Sequence, residues 1–213
     1  MLKHKTVKSE SKIEIVINKS RFIGHCFPIL DADEAAGILA RLRKEYWDAS
    51  HNCYAYVLGE TGMLARFSDD GEPGGTAGMP ILDVIRKKGL TYTLIVVTRY
   101  FGGILLGAGG LVRAYSNSAA RAAEAAGMVS VEPAFEIELV VDYSRYGAVE
   151  GFVRENSQVS STEFTDAVTM RVMLPETAAE GFIAEIVERT DGRVRPVISG
   201  SGSIKRVLDS GLA

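Results

Sequence analysis

Two glycine-rich loops, each leading into a predicted helix, constrain the fold of this chain more than any other feature. The first loop runs from Asp69 to Gly78 and the second from Gly102 to Gly110. Ordered glycine carries an entropic cost, so this density indicates backbone conformations or close approaches that a Cβ atom would forbid. A continuously apolar segment, Leu94–Val97, precedes the second loop and predicts a strand buried on both faces. The sequence therefore predicts rigid elements that hold two chemically dense loops.

Local patterns predict the elements around these loops. Asp31 and Glu34 form an aspartate variant of the capping box, in which we expect Glu34 to accept a hydrogen bond from the Asp31 amide. The helix that follows carries apolar residues on one face and ends near Trp47. Strands are predicted at Ile13–Ile17, Arg21–Pro28, His51–Leu58 and Leu64–Phe67, and further helices from Pro80 to Gly89 and over Leu111–Ala126.

A change in element order after Gly127–Pro133 predicts a second domain. Beyond this point the pattern is β-α-β-β-α-β, which is typical of the ferredoxin-like, split βαβ unit. The predicted elements are Phe135–Val141, Arg145–Glu155, Gln158–Phe164, Val168–Leu174, Thr177–Glu188 and Arg193–Ile198. The tail from Gly200 is rich in glycine and serine and is expected to be flexible. We therefore divide the chain into domains at 1–131 and 132–204, with a tail at 205–213.

Charge and composition limit the classes of protein to which the chain can belong. Residues 1–131 carry 16 Lys and Arg against 13 Asp and Glu, whereas residues 132–213 carry 8 against 14. A mildly basic half joined to an acidic half permits an anionic partner on one face. No apolar run reaches the roughly 20 residues that a membrane span needs, and the basic N-terminus has no apolar core of a signal peptide. We expect a cytoplasmic protein without a membrane partner.

The second glycine-rich loop predicts an anion site. Free amides at a helix N-terminus, together with the helix macrodipole, favour a phosphate, and glycines let its oxygens approach the backbone. Arg99 precedes the loop, while Arg113, Asn117 and Arg121 form a polar stripe on the helix. The alternative is that the glycines only allow tight packing and the arginines are solvated. The candidate phosphate- or nucleic-acid-binding residues are Arg99, Gly102, Gly103, Gly107, Gly109, Gly110, Arg113 and Arg121.

The first loop supplies three carboxylates, Asp69, Asp70 and Glu72, as a possible second part of the site. Clustered carboxylates hold Mg²⁺ or serve in acid–base chemistry, but they are also ordinary turn formers. Turn architecture is the favoured interpretation. A further alternative is that Glu72 and Asp69 pair with Arg99 or Arg113, tying the two loops together.

Histidine, cysteine and aromatic residues give weaker signals. The positions of His25, Cys26, His51 and Cys53 match no standard zinc pattern, so packing is the favoured interpretation. Nothing in the pattern activates either thiol as a nucleophile. Several aromatic residues, which could stack on bases but are more typical of a core, are Tyr54, Tyr56, Tyr100, Phe101 and Tyr115.

The chain resembles the YigZ/IMPACT family in its bacterial, two-domain form. The resemblance covers roughly residues 18–126 and is far more specific than a lone glycine motif. The segments that carry it are Ser20–Gly24, His51–Tyr56, Arg66–Gly78, Val97–Gly103 and Leu105–Tyr115. The C-terminal part resembles the smaller domain attached in bacterial members.

The resemblance implies an α+β fold, with an N-terminal domain of the ribosomal-protein type also found in domain IV of elongation factor G, followed by a ferredoxin-like domain. It further implies a non-enzymatic protein that associates with RNA or the ribosome and modulates translation. One alternative is an enzyme or sensor for a small phosphorylated ligand or nucleotide, and another is a module that binds a regulatory protein. The resemblance implies no catalytic residue, and we predict no cofactor and no metal.

Overall fold

The computed structural model describes residues 2–208, and these residues form ten strands and five helices. The strands are β1 (His4–Val7), β2 (Ser11–Ile17), β3 (Ser20–Pro28), β4 (His51–Leu58), β5 (Leu64–Ser68), β6 (Thr93–Tyr100), β7 (Met128–Val141), β8 (Gln158–Phe164), β9 (Val168–Pro175) and β10 (Val197–Val207). The helices are α1 (Ala32–Glu45), α2 (Gly78–Lys87), α3 (Gly107–Ala126), α4 (Tyr143–Asn156) and α5 (Glu176–Arg189).

The chain divides into two compact units. Among the described residues, the first contains 2–130 and 206–208, and the second contains Val131–Lys205. The second unit has the strand order β10-β7-β9-β8, with antiparallel β7–β9 and β8–β9 pairs. This order, with the chain sequence β-α-β-β-α-β, is the predicted ferredoxin-like arrangement. The α+β fold class is thus confirmed.

The first unit contains a five-stranded antiparallel sheet of order β2-β3-β6-β4-β5. Its central strand β6 contains the apolar run Leu94–Val97, all of which is fully buried. Leu94 and Val96 pack with residues of α1, whereas Ile95 and Val97 pack with residues of α2 and α3. Helices therefore cover both sheet faces, which explains why this strand lacks the alternating pattern of a half-exposed one.

Helix α3 approaches the sheet closely because its buried face consists largely of alanine. A Cβ atom added at Gly24 of β3 would lie 2.9 Å from the Ser118 carbonyl oxygen, closer than real Cβ contacts. The glycine of the strand and the small residues of the helix are therefore complementary. Buried residues of this face are Leu111, Ala114, Tyr115, Ser118, Ala119, Ala122, Ala123 and Ala126.

Three local predictions are corrected by the structure. Asp31 caps α1 by accepting from the Glu34 amide (2.8 Å), but the Glu34 carboxylate accepts from the Leu30 amide (2.7 Å), not that of Asp31. Helix α3 begins at Gly107 instead of the predicted Leu111, so the glycines expected at its start form its first turn. The final strand is Val197–Val207, not Arg193–Ile198, and it includes most of the segment expected to be flexible. Residues 209–213 of the predicted tail lie outside the described residues.

Candidate functional site

A cleft of about 520 Å³ opens between the acidic loop, the end of β6 and the start of α3. Strand pairing creates it, because His51 of β4 and Phe22 of β3 both lie opposite Arg99 of β6. The cleft therefore lies at one end of the three central strands, β3, β6 and β4, and the two glycine-rich loops form its walls. Its lining residues are Ser50, His51, Gly71, Glu72, Pro73, Arg99, Phe101, Leu105, Leu106, Gly107, Ala108 and Leu111.

A buried ion pair joins the two loops. The Arg99 Nη1 donates to Glu72 Oε1 at 2.6 Å, and the Tyr115 hydroxyl donates to the same oxygen at 2.7 Å. Arg99 is only 5% exposed and Glu72 only 8%. Burial raises the pKa of Tyr115 well above its usual range, so the phenol stays a donor. Of the alternative pairings that the sequence left open, the structure contains that of Glu72 with Arg99, whereas Asp69 pairs with neither arginine within residues 2–208. The Arg99 guanidinium is held inside the protein instead of projecting into solvent.

Ser20 connects this pair to the second glycine-rich loop. Its hydroxyl oxygen accepts from Arg99 Nη2 (3.3 Å) and from the Gly102 amide (3.1 Å). Gly102 lies directly against the β2–β3 turn, since a Cβ atom there would be 2.1 Å from the Lys19 carbonyl carbon. Glycine is therefore required at position 102 by close backbone approach. This position serves the architecture of the loop.

The first carboxylate of the acidic loop, Asp69, caps helix α2. Its carboxylate accepts from the amides of Gly75 (2.9 Å), Ala77 (3.0 Å) and Gly78 (2.8 Å). Burial by itself would raise the pKa of Asp69, but the three amides outweigh it and the pKa lies below its usual range. Asp69 thus satisfies amides that a helix start leaves unpaired.

The second carboxylate, Asp70, holds the loop against strand β4. Its Oδ2 accepts from the Asn52 amide at 2.6 Å, and its backbone adopts φ +44°, followed by Gly71 at φ +86°. The Asp70 carbonyl lies 2.8 Å from His51 Nδ1. Because a carbonyl only accepts, Nδ1 carries the proton, which leaves His51 Nε2 with its lone pair when the ring is neutral. Nε2 lies 3.9 Å from Glu72 Oε2 at the floor of the cleft.

Both cysteines are free and buried. The Cys53 Sγ lies 3.0 Å from the Asp69 carbonyl and 3.4 Å from the Tyr115 hydroxyl. Burial raises the pKa of both Cys26 and Cys53 to about 12, so each remains a neutral thiol near neutral pH. Among residues 2–208, no group of three or more His, Cys, Asp or Glu side chains is placed to hold a metal ion.

The start of α3 differs from that of α2, because within residues 2–208 no side chain accepts a hydrogen bond from its first-turn amides, whereas Asp69 does so at α2. Leu106 occupies the N-cap position without a side-chain hydrogen bond, and Gly107 and Ala108 line the cleft. Gly103 and Gly107 adopt φ of +82° and +69°, which favour glycine. A Cβ atom at Gly109 would meet nothing within 4 Å, whereas one at Gly110 would lie 2.9 Å from the Leu106 Cβ.

Arg113 and Arg121 lie outside the cleft. Both are exposed on α3, with Asn117 between them, and neither has an ion-pair or hydrogen-bond partner within residues 2–208. The structure therefore separates the predicted arginines into a buried, paired one at the cleft floor and two exposed ones on the helix.

The prediction of site residues did not include Ser20, His51, Phe101 and Tyr115. Ser20, His51 and Tyr115 contact Arg99 or Glu72 from distant parts of the sequence. Phe101 lies near Arg99 in the sequence and places its ring close to the guanidinium. The signal that could have found His51 is its motif with Cys53, but only the β4–β6 register reveals that it faces Arg99. Within the described residues, no helix combines the length and hydropathy needed to cross a membrane.

Comparison with known sequences and structures covers both units. Residues 18–123 match the Impact N-terminal domain, and residues 139–193 match a domain of unknown function, DUF1949. All the candidate site residues lie within the first match.

Several relatives are similar over most of the chain. IMPACT family member YvyE of Bacillus subtilis (strain 168) is 39% identical over 189 residues, covering 88% of this chain and 87% of the relative. IMPACT family member YigZ of Escherichia coli (strain K12) is 33% identical over 182 residues, covering 84% and 89%. A solved structure described as a crystal structure of a hypothetical protein has a TM-score of 0.60 and 30% identity, covering 92% of this chain and 97% of its own.

A eukaryotic relative is similar over a smaller part of the chain. Protein IMPACT homolog of Dictyostelium discoideum is 40% identical over 93 residues, which make up 42% of this chain and 26% of that protein.

Proposed function

Since this chain belongs to the IMPACT family, we propose that it is a non-enzymatic, RNA- or ribosome-associated protein that modulates translation in the cytoplasm. The family resemblance supplies the link to translation. The structure supports the proposal because helix α3 exposes groups that can bind phosphate.

The observation that carries the proposal is the combination of an uncapped helix start and two unpaired guanidinium groups on one helix. Within residues 2–208 no side chain accepts from the first-turn amides of α3, and Arg113 and Arg121 follow on its exposed surface. Helix N-terminal amides and arginines are both common phosphate ligands in nucleic-acid complexes. The mildly basic balance of residues 1–131 favours an approach of RNA from this unit.

Arg99 takes a different role in this proposal from that of the exposed arginines. Its guanidinium is held by Glu72 and Ser20 and packs near the rings of Phe22 and Phe101 (5.4 and 5.5 Å to the centroids). Arg99 therefore positions the two loops, while Arg113 and Arg121 supply the free positive charges. Substitution of Arg99 would disturb the fold, so a loss of binding in that variant would not identify a lost contact with RNA.

The experiment is co-sedimentation with purified ribosomes over a series of salt concentrations. The test variant is Arg113→Ala with Arg121→Ala. The matched control is Arg43→Ala with Arg66→Ala, which removes the same charge from exposed positions on α1 and β5. We expect wild type and control to sediment at low salt, and the test variant to bind more weakly. The slope of log affinity against log salt should fall by about 0.7 to 0.9 for each phosphate that the variant no longer neutralises.

Two results would contradict the proposal. Wild-type protein that stays in the supernatant at every salt concentration excludes direct ribosome association. Equal losses in the test variant and the control show that net charge alone, and not the α3 surface, governs binding. If ribosomes do not bind but a stable complex with another protein is recovered from extract, the protein acts instead as a regulatory interaction module.

A further inference from the structure

We propose that the cleft between the acidic loop and the start of α3 binds a single ribonucleotide unit. In this arrangement the phosphate contacts the α3 amides, the ribose hydroxyls contact Glu72 and His51, and the base stacks on Phe101. The unit is either a free nucleotide or one residue of an RNA strand, and the second source rests on the function proposed above. The cleft volume of about 520 Å³ falls within the range of roughly 300 to 1,000 Å³ typical of small-molecule sites.

We assign the phosphate to the end of the cleft at the start of α3, where hydrogen-bond donors lack acceptors within residues 2–208. Gly107 and Ala108 line the cleft at the uncapped start of α3. Arg99 also lines it, and its buried Nε has no hydrogen-bond partner among residues 2–208. The buried N–H group lacks an acceptor, which leaves the positive charge of Arg99 incompletely compensated, and an oxygen-rich anionic ligand in the cleft would add to that compensation. The positive end of the helix dipole favours an anionic group there.

The ribose position is defined by an acceptor pair at the cleft floor. Both Arg99 and Tyr115 donate to Glu72 Oε1, while Oε2 faces His51 Nε2 at 3.9 Å, beyond hydrogen-bond distance. The hydrogen bond of Nδ1 to the Asp70 carbonyl fixes the ring, so a neutral His51 offers Nε2 as a second acceptor. A carboxylate that accepts from ribose hydroxyls is a recurring means of nucleotide recognition. The 2′-hydroxyl would therefore contribute to affinity.

The base position is defined by an exposed aromatic ring. Phe101 is 48% exposed although one side of its ring lies near the Arg99 guanidinium. Leu105, which is 85% exposed, and Leu111 add apolar surface to the same cleft. Planar bases stack on such rings with little sequence preference, because every base has a π face. The three positions together match phosphate, ribose and base in one ligand.

The test is a binding titration with four probes: adenosine 5′-monophosphate, its 2′-deoxy form, inorganic phosphate and a short single-stranded oligoadenylate RNA. The cleft variant is Phe101→Leu, which keeps apolar bulk and removes the ring. The matched control is Phe67→Leu, because Phe67 of β5 is similarly exposed (42%) and does not line the cleft. Melting curves confirm that both variants remain folded. The variant Arg113→Ala with Arg121→Ala is measured with the same probes.

We expect Phe101→Leu to weaken binding by at least about fivefold and Phe67→Leu to leave it unchanged. Binding of adenosine monophosphate, stronger than that of the deoxy form and of phosphate, identifies a free nucleotide as the ligand. Binding of the RNA alone, with the same sensitivity to Phe101→Leu, identifies an RNA residue.

Two outcomes separate this inference from the proposed function. If RNA binds and responds to the Arg113 and Arg121 changes but not to Phe101→Leu, the RNA-binding function stands and the cleft site is overturned. If the nucleotide binds in the cleft while neither RNA nor ribosomes bind, the cleft site stands without the RNA-binding function. Absence of binding by the nucleotide and the RNA overturns the cleft site.

Discussion

The two glycine-rich loops both lead into a helix, but their charged and polar groups have different roles in the folded protein. In the acidic loop, Asp69, Asp70 and Glu72 all accept hydrogen bonds from groups inside the protein. At the start of α3, no side chain caps the helix, and Arg113 and Arg121 have no partner within residues 2–208. The charged residues of these two segments therefore fall into two groups: those that hold the loops in place, and those whose side chains remain available to a ligand. The difference lies in which groups the fold desolvates and pairs.

The sharpest test of this comparison is Glu72→Ala. The change leaves the Arg99 guanidinium buried without its carboxylate and the Tyr115 hydroxyl without its acceptor. Breaking a buried ion pair by removing one partner typically costs about 3 to 5 kcal/mol, so we expect a loss of that size in the free energy of unfolding. Urea denaturation measures it. The control Glu124→Ala removes an exposed partner of Lys88 and should cost under about 1 kcal/mol. Equal effects of the two substitutions would show that burial of the pair is unimportant.

A second test compares two glycines of the α3 loop. Gly102→Ala would place a Cβ atom 2.1 Å from the Lys19 backbone, and we expect a loss of about 3 kcal/mol. Gly109→Ala meets open space and favours the helix, so stability should be unchanged or rise by up to about 1 kcal/mol. Thermal unfolding of both variants checks the pair. A tolerated Gly102→Ala would mean that the β2–β3 turn can move away.

A third test uses pH. Because the folded protein holds the Asp69 pKa below its usual value, this carboxylate stabilises the fold above about pH 4, its unfolded pKa. That contribution is lost as the pH falls through the folded pKa. We expect Asp69→Asn to cost about 1 to 2 kcal/mol at neutral pH and the difference from wild type to shrink below pH 4. Denaturation at several pH values measures it, and a constant difference would show that charge at Asp69 is irrelevant.

The smallest expected effect on stability comes from the exposed arginines of α3. Arg113→Ala with Arg121→Ala should change the free energy of unfolding by no more than about 0.5 kcal/mol, because neither side chain contacts a partner in the described chain. Chemical denaturation beside the wild type provides the measurement. A loss above about 1 kcal/mol would assign these arginines a structural role and remove the main support for the binding surface.

Local elements were largely predictable because short-range physics determines them. The capping aspartate Asp31, the apolar run of β6 and the Gly127 helix end all lie where the sequence predicted. The exact start of α3 was not, since glycine disfavours a helix interior but is tolerated in the first turn, where the amides make no intrahelical hydrogen bond. The bounds of strand β10 were predicted wrongly because Gly200 and Gly202 disfavour a strand, and only the pairing of β10 with β7 provides a partner strand for this segment.

The candidate site was predictable only in part. The pairing of Glu72 with Arg99 was one of several alternatives, suggested by an acidic first loop and by arginines on either side of the second. The participation of His51 and Ser20 depends on strand register, which brings β3, β4 and β6 together from distant parts of the chain. No local pattern encodes that register.

The amino-acid sequence was sufficient for the family, the order of helices and strands, and the positions where glycine is dense. These properties depend on motif, periodicity and capping, all of which act over a few residues. The roles of Arg99, Arg113 and Arg121 became distinct only in the folded chain. Whether a charge is buried and paired or solvated and free depends on neighbours brought together by long-range strand pairing, since desolvation and partner distance set its energy.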